Sequence, residues 1–173
     1  MSLLDSLHDW QNFFVVTGGA SASLIGLMFV SLSLGAHLVN AENERSIRTY
    51  VNPILLHLGI VLVTSCVMLV PTHTLISLAL MLVIIGVVGL REAARVWSGM
   101  RREASDAGLE DQHWFWYLLV PLFSYVIACL IALGLLVSDQ PVWLDGVAVL
   151  ALALLVTSIR NMWVLVLWVV QQR

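Results

Sequence analysis

A chain of 173 residues that is 60% hydrophobic and only 11% charged cannot clothe itself for water, where a soluble domain carries about 25% charged residues. Its mean hydropathy of +0.95 makes lipid the natural solvent for most of its surface. A net charge of -3 without a single lysine excludes the clustered cations that a nucleic-acid partner requires, and the length leaves room for one transmembrane domain over residues 1–173 and no substantial second one.

The segment MSLLDSLHDWQNFF lacks the basic start of a cleaved signal peptide. Leu3, Leu7, Trp10 and Phe14 recur in it at helical spacing, which predicts a short helix lying on the outer membrane surface. Five apolar runs follow, at residues 13–39, 51–70, 75–90, 114–137 and 147–170, each near the roughly 20 residues that a helical span needs. The runs are continuous rather than alternating, so helices rather than barrel strands are expected. The fold class is therefore all-α, a polytopic integral membrane bundle of about five transmembrane helices.

Arg45 and Arg48 lie in the connection before the second span, and Arg91, Arg95, Arg101 and Arg102 in the connection 91–113. The other connections and the N-terminal segment hold no arginine. Positive residues stay cytoplasmic, so the N-terminus is expected outside and the C-terminus inside, in the inner (plasma) membrane. Asn52–Pro53 is expected to start the second span, and Pro71 with Thr72 to Thr74 to close the second and third spans into a hairpin. The third helix is expected to continue past Arg91 into the cytoplasm and stop at Asp106–Gly108. Pro121, inside the fourth span, is expected to kink it or free a carbonyl. Trp114, Trp116, Tyr117, Trp143 and Trp168 read as interfacial anchors, and Cys66 and Cys129 as packing residues.

In the first span, Gly19, Ser23, Gly26, Val30, Ser33 and His37 are spaced by alternating fours and threes and fall on one narrow helix face. A small face lets helices approach closely, with serines bonding across the contact. The other reading is a narrow wet path, with hydroxyls replacing hydration and His37 at its inner mouth. This Gly/Ser-rich span resembles those of small, uncharacterised bacterial polytopic membrane proteins; the resemblance covers about 20 residues of the kind described and implies no activity.

Arg160 and Asn161 interrupt the fifth span, with Arg160 on the order of 15 Å from its inner end. An arginine at such depth needs compensation, and no carboxylate falls within a predicted span. Glu92 at the inner end of the third span, Asn161, kink carbonyls, a lipid headgroup or a small anion are the candidate partners. Thr157 shares a helix side with Arg160 and Asn161. His57, about 9 Å into the second span from its inner end, approaches the same level and titrates near neutral pH. Arg160, Asn161, Thr157 and His57 are accordingly the candidate ion- or ligand-binding residues, while Gly19, Ser23, Gly26, Ser33 and His37 are candidates for a path or helix contact.

No metal or cofactor is expected, because the five histidines are scattered over both sides. No catalytic motif is present, so no enzyme activity is expected. The sequence favours an oligomeric channel or transport-type protein, a homo-oligomer in the bilayer with an anion-preferring site open to the cytoplasm. The alternative is a non-catalytic scaffold or regulator of another membrane protein.

Overall fold

The computed structural model describes residues 3–35, 44–71, 74–104 and 115–171. In chain order these form α1 (Leu3–Ser6), α2 (Gln11–Gly35), α3 (Glu44–Met68) and α4 (Leu75–Ala104). A π turn (Phe115–Leu119) then leads into α5 (Val120–Val137), followed by α6 (Val142–Gln171). Five of these elements are long and apolar enough to cross a membrane, counting the π turn with α5. The chain is an all-α bundle whose outward apolar side chains suit contact with lipid.

Two helix pairs make up the bundle, α2 on α3 and α4 on α5, and α6 lies between the pairs against α3 and α5. Small residues permit the close approach within each pair. In the first, a Cβ added to Gly18 of α2 would come within 2.9 Å of Ser65 Cβ on α3. Beside it, the Thr17 and Ser65 hydroxyls share a 3.1 Å hydrogen bond, and Ser21 Oγ donates to the Leu58 carbonyl at 2.6 Å. In the second pair, a side chain at Gly86 or Gly89 of α4 would collide with Cys129 or with the Tyr125 ring of α5.

Several predicted features are placed differently. The α1 segment turns its apolar side chains to protein rather than to lipid: Leu3, Leu7 and Phe14 are buried in the bundle with Leu82, Leu135 and Leu144. The Leu3 N–H donates to Asp139 at 2.8 Å, tying α1 to the α5–α6 connection. Burial of each such side chain is worth about 1.5–3 kcal/mol, more than a surface position offers. Pro53 lies inside α3, which begins at Glu44, nine positions earlier in the chain. Pro121, by contrast, does lie inside the fourth span, Phe115–Val137, and the π turn just ahead of it is the kind of local rearrangement that a residue without an N–H calls for.

α3 and α4 do not zip into a hairpin. They touch only sparingly and leave between them an apolar cleft of about 330 Å³, with Leu55, Gly59 and Ile60 on one wall and Ile84, Ile85 and Val88 on the other. α4 turns its close face to α5 instead. As the sequence suggests, α4 runs on past Arg91 to Ala104; its expected stop at Asp106–Gly108 lies outside the described residues.

Candidate functional site

Because α6 is central, the polar interruption of its apolar sequence is carried into the bundle. Thr157, Ser158 and Asn161 are fully buried. Ser158 Oγ satisfies itself on the Leu154 carbonyl at 2.8 Å. Thr157 Oγ1, both side-chain amide atoms of Asn161 and Nη1 of Arg160 have no partner among the described residues. Leaving one such buried group unmet costs about 1–3 kcal/mol, so their clustering within two turns is expensive.

The π turn brings two aromatic side chains to this stretch. The Arg160 guanidinium carbon stands 4.9 Å from the centre of the Trp116 ring, where the negative ring face attracts it. The Tyr117 hydroxyl donates to the Asn161 carbonyl at 3.4 Å. Of the candidate partners of Arg160, Glu92 is engaged elsewhere: it accepts from Arg95 of its own helix at 3.2 Å.

His57 of α3 contacts a different aromatic. Its ring centre is 5.9 Å from that of Tyr125 on α5, and the two side chains are only 2% and 1% exposed. Among the described residues, His57 Nδ1 and the Tyr125 hydroxyl both lack a partner, as does Thr64 Oγ1 further along α3. Tyr125 fits there because α4 presents Gly89 beneath its ring. Two polar centres result, one of Arg160, Asn161, Trp116 and Tyr117, the other of His57 and Tyr125, with Thr157 on the buried face of α6.

The small-residue stripe faces away from both. Gly19, Ser23, Gly26 and Ser33 are exposed, and a Cβ added at Gly19 or Gly26 meets nothing within 4 Å. Ser23 and Ser33 donate back to the carbonyls of Gly19 at 2.9 Å and Phe29 at 2.8 Å, the local bonding that a serine adopts on an outward helix face. His37 lies outside the described residues.

Trp116 and Tyr117 read from sequence as interfacial anchors, and Tyr125 drew no attention. The signal for Tyr125 was present: a phenol deep in an apolar span must find a polar neighbour or leave its hydroxyl unmet. Among the described residues no group of three or more His, Cys, Asp or Glu side chains is placed to hold a metal ion. Comparison with protein-family models, with curated proteins and with solved structures gave no match.

Proposed function

We propose that the protein is an oligomeric membrane channel or transport-type protein with an anion-preferring site at Arg160, open to the cytoplasm. The observation that carries this reading is that Nη1 of Arg160, the side-chain amide of Asn161 and the hydroxyl of Thr157, all on one stretch of α6, have no partner among the described residues. A fixed cation with neutral donors next to it complements a small anion or a lipid phosphate. Trp116 holds the guanidinium from one face without neutralising it, so the charge remains available to an anion.

The orientation in this proposal rests on the arginine-bearing connections, which put the C-terminal end of α6 on the cytoplasmic side. The oligomeric part rests on the open stripe of α2. Gly19 and Gly26 offer a close face that none of the described residues fills, and a second copy is the partner we assign to it.

The test is anion flux into liposomes with Arg160→Gln and Arg160→Lys. Arg160→Gln is expected to fold, since removing an uncompensated buried charge relieves a desolvation cost, and to lose flux. Arg160→Lys is expected to restore only part of it, because an ammonium lacks the planar fork. Undiminished flux in Arg160→Gln sinks the reading. The second reading, a scaffold or regulator, is favoured by the apolar lining of the α3–α4 cleft, which suits a lipid chain or a partner helix and offers a hydrophilic solute nothing.

A further inference from the structure

We propose that the α3–α4 cleft binds one anionic phospholipid, with an acyl chain between the two helices and the phosphate at Arg91 and Arg95. The proposal goes beyond both readings above and uses none of the residues around Arg160. The cleft lies within two candidate spans, Val51–Met68 and Leu75–Gly99. Its walls are apolar, with Leu55, Gly59 and Val63 of α3 facing Ile84 and Val88 of α4. Gly59 supplies room, since a Cβ added there meets nothing within 4 Å. Val63 and Val88 are 53% and 43% exposed, so the cleft is open along its side to the surrounding lipid.

Both walls turn polar at the same end and at the same step. As consecutive spans α3 and α4 run antiparallel, so the first part of α3 lies level with the last part of the α4 span. Three residues before Leu55, Asn52 is exposed on α3; three residues after Val88, Arg91 is exposed on α4. Steps of three and four keep to one helix face. Asn52 therefore continues the wall of Leu55, Gly59 and Val63, and Arg91 and Arg95 continue the wall of Ile84 and Val88. Helical side chains lean toward the N-terminus of their helix, which tips both guanidinium groups back toward Val88. Arg91 has no ion pair among the described residues, and Arg95, bonded to Glu92, keeps a side chain 62% exposed. The other end stays apolar, with Val67 four residues beyond Val63 and Leu80 four before Ile84. Depth agrees with this assignment. Lipid hydrocarbon spans roughly 20 helical residues, which from Leu75 reaches the level of Arg95. Trp97, 40% exposed and stacked by Arg101 at 4.5 Å, marks the headgroup layer there.

Size selects a lipid chain over a protein partner. Leu55 to Val63 is about 12 Å along the helix. A helix of that length and about 10 Å across takes up on the order of 900 Å³, whereas the cleft offers about 330 Å³. An acyl chain is no thicker than an aliphatic side chain and fits. Hydrocarbon moving from bilayer to an apolar cleft gains no hydrophobic free energy, so the chain fixes the place and the headgroup fixes the preference. Two arginines opposed by Glu92 leave one net positive charge at the mouth, and a guanidinium matches a phosphate with two parallel hydrogen bonds. A zwitterionic headgroup brings its own cation to that mouth; an anionic one does not. One net cation at the membrane surface favours the anionic lipid roughly fivefold.

The experiment offers the full chain in detergent equal amounts of phosphatidylglycerol and phosphatidylcholine with the same acyl chains, and counts bound lipid by native mass spectrometry. The wild type is expected to hold one phosphatidylglycerol in preference to phosphatidylcholine by roughly fivefold. The double variant Arg91→Gln, Arg95→Gln, at two exposed positions, is expected to bring the two lipids to parity. Gly59→Leu, which fills the cleft, is expected to lower binding of both. Arg160→Gln is expected to leave the preference as it is, which separates this site from any phosphate held at Arg160. Equal binding of the two lipids by the wild type overturns the inference. So does a preference that survives the double variant or is lost in Arg160→Gln, and so does lipid binding undiminished in Gly59→Leu. A dimer that Gly59→Leu dissociates would show a second copy in the cleft and overturn it too. Should Gly59→Leu fail to fold, Val88→Trp fills the cleft from the other wall at a half-exposed position and is read in the same way.

Discussion

An arginine in the middle of an apolar helix costs about 2.5–3.5 kcal/mol on insertion scales, and an aromatic face offsets about 0.5–2 kcal/mol of that. Trp116 therefore steadies Arg160 without satisfying it. Glu92 is spoken for by Arg95 at 3.2 Å, so its charge and that of Arg160 are expected to act independently. A double-mutant cycle of Arg160→Gln and Glu92→Gln, read as melting temperature in one detergent, is expected to give a coupling below about 0.5 kcal/mol, the additivity of residues that share no partner. A coupling of about 1 kcal/mol or more would instead show the two charges to be paired. Arg160, Asn161 and Thr157 were legible in the sequence because polar residues in an apolar run are conspicuous and their three- and four-residue spacing fixes a common side. Trp116, Tyr117 and Tyr125 were not legible as their neighbours. Tryptophan and tyrosine near a span end have an ordinary role as anchors, and nothing in one-dimensional spacing shows that a π turn swings them onto another helix.

At the scale of the helix, the same residue type does opposite things on α2 and α4. Gly26 belongs to a regular small-residue stripe and faces open space; Gly89 belongs to no conspicuous pattern and is filled against by the fully buried Tyr125. Periodicity tells which residues share a face and not what the face meets, which is why the stripe was legible while the α4–α5 contact was not. Gly89→Ala is expected to cost about 1–3 kcal/mol, the ordinary penalty of overpacking a core, because an aromatic ring wedged among α3, α4 and α5 has nowhere to retreat. Gly26→Ala is expected to leave the fold of a single molecule unchanged or to stabilise it by up to about 1 kcal/mol, since alanine is the better helix former and the site is open within one molecule, so that its cost falls on the contact with a second copy. Melting temperatures of the two variants in the same detergent are the check. A larger loss at Gly26 than at Gly89 in the monomeric protein would mean that the close α4–α5 contact is not formed.

For the whole molecule, helix number was legible because lipid demands a minimum run of apolar residues, whereas helix neighbours were not. The turn after α3 suggested a hairpin, but α4 has its glycines on the side facing α5, and burial of Tyr125 there outweighs a loose contact with α3. How the bundle stands in the membrane follows from charge. One end carries α1, Asp139 and Gln140, with no arginine among the described residues there; the other carries Arg91, Arg95 and Arg101 of α4. Translocating several arginines is the costlier choice, so the α1 end is expected outside. Single cysteines decide this in a background with Cys66→Ala and Cys129→Ala, which removes the outward thiol of Cys66 and the thiol packed on Gly86. Asp5→Cys and Gln140→Cys are expected to react with a membrane-impermeant maleimide on intact cells. Ala41→Cys and Ser105→Cys are expected to react only after permeabilisation. None of the four changes removes an arginine, so the charge pattern that sets the orientation stays as it is. Labelling at position 105 from outside, with position 140 protected, would invert the bundle. It would also turn the Arg160 site toward the opposite compartment, and the anion would then have to enter from there.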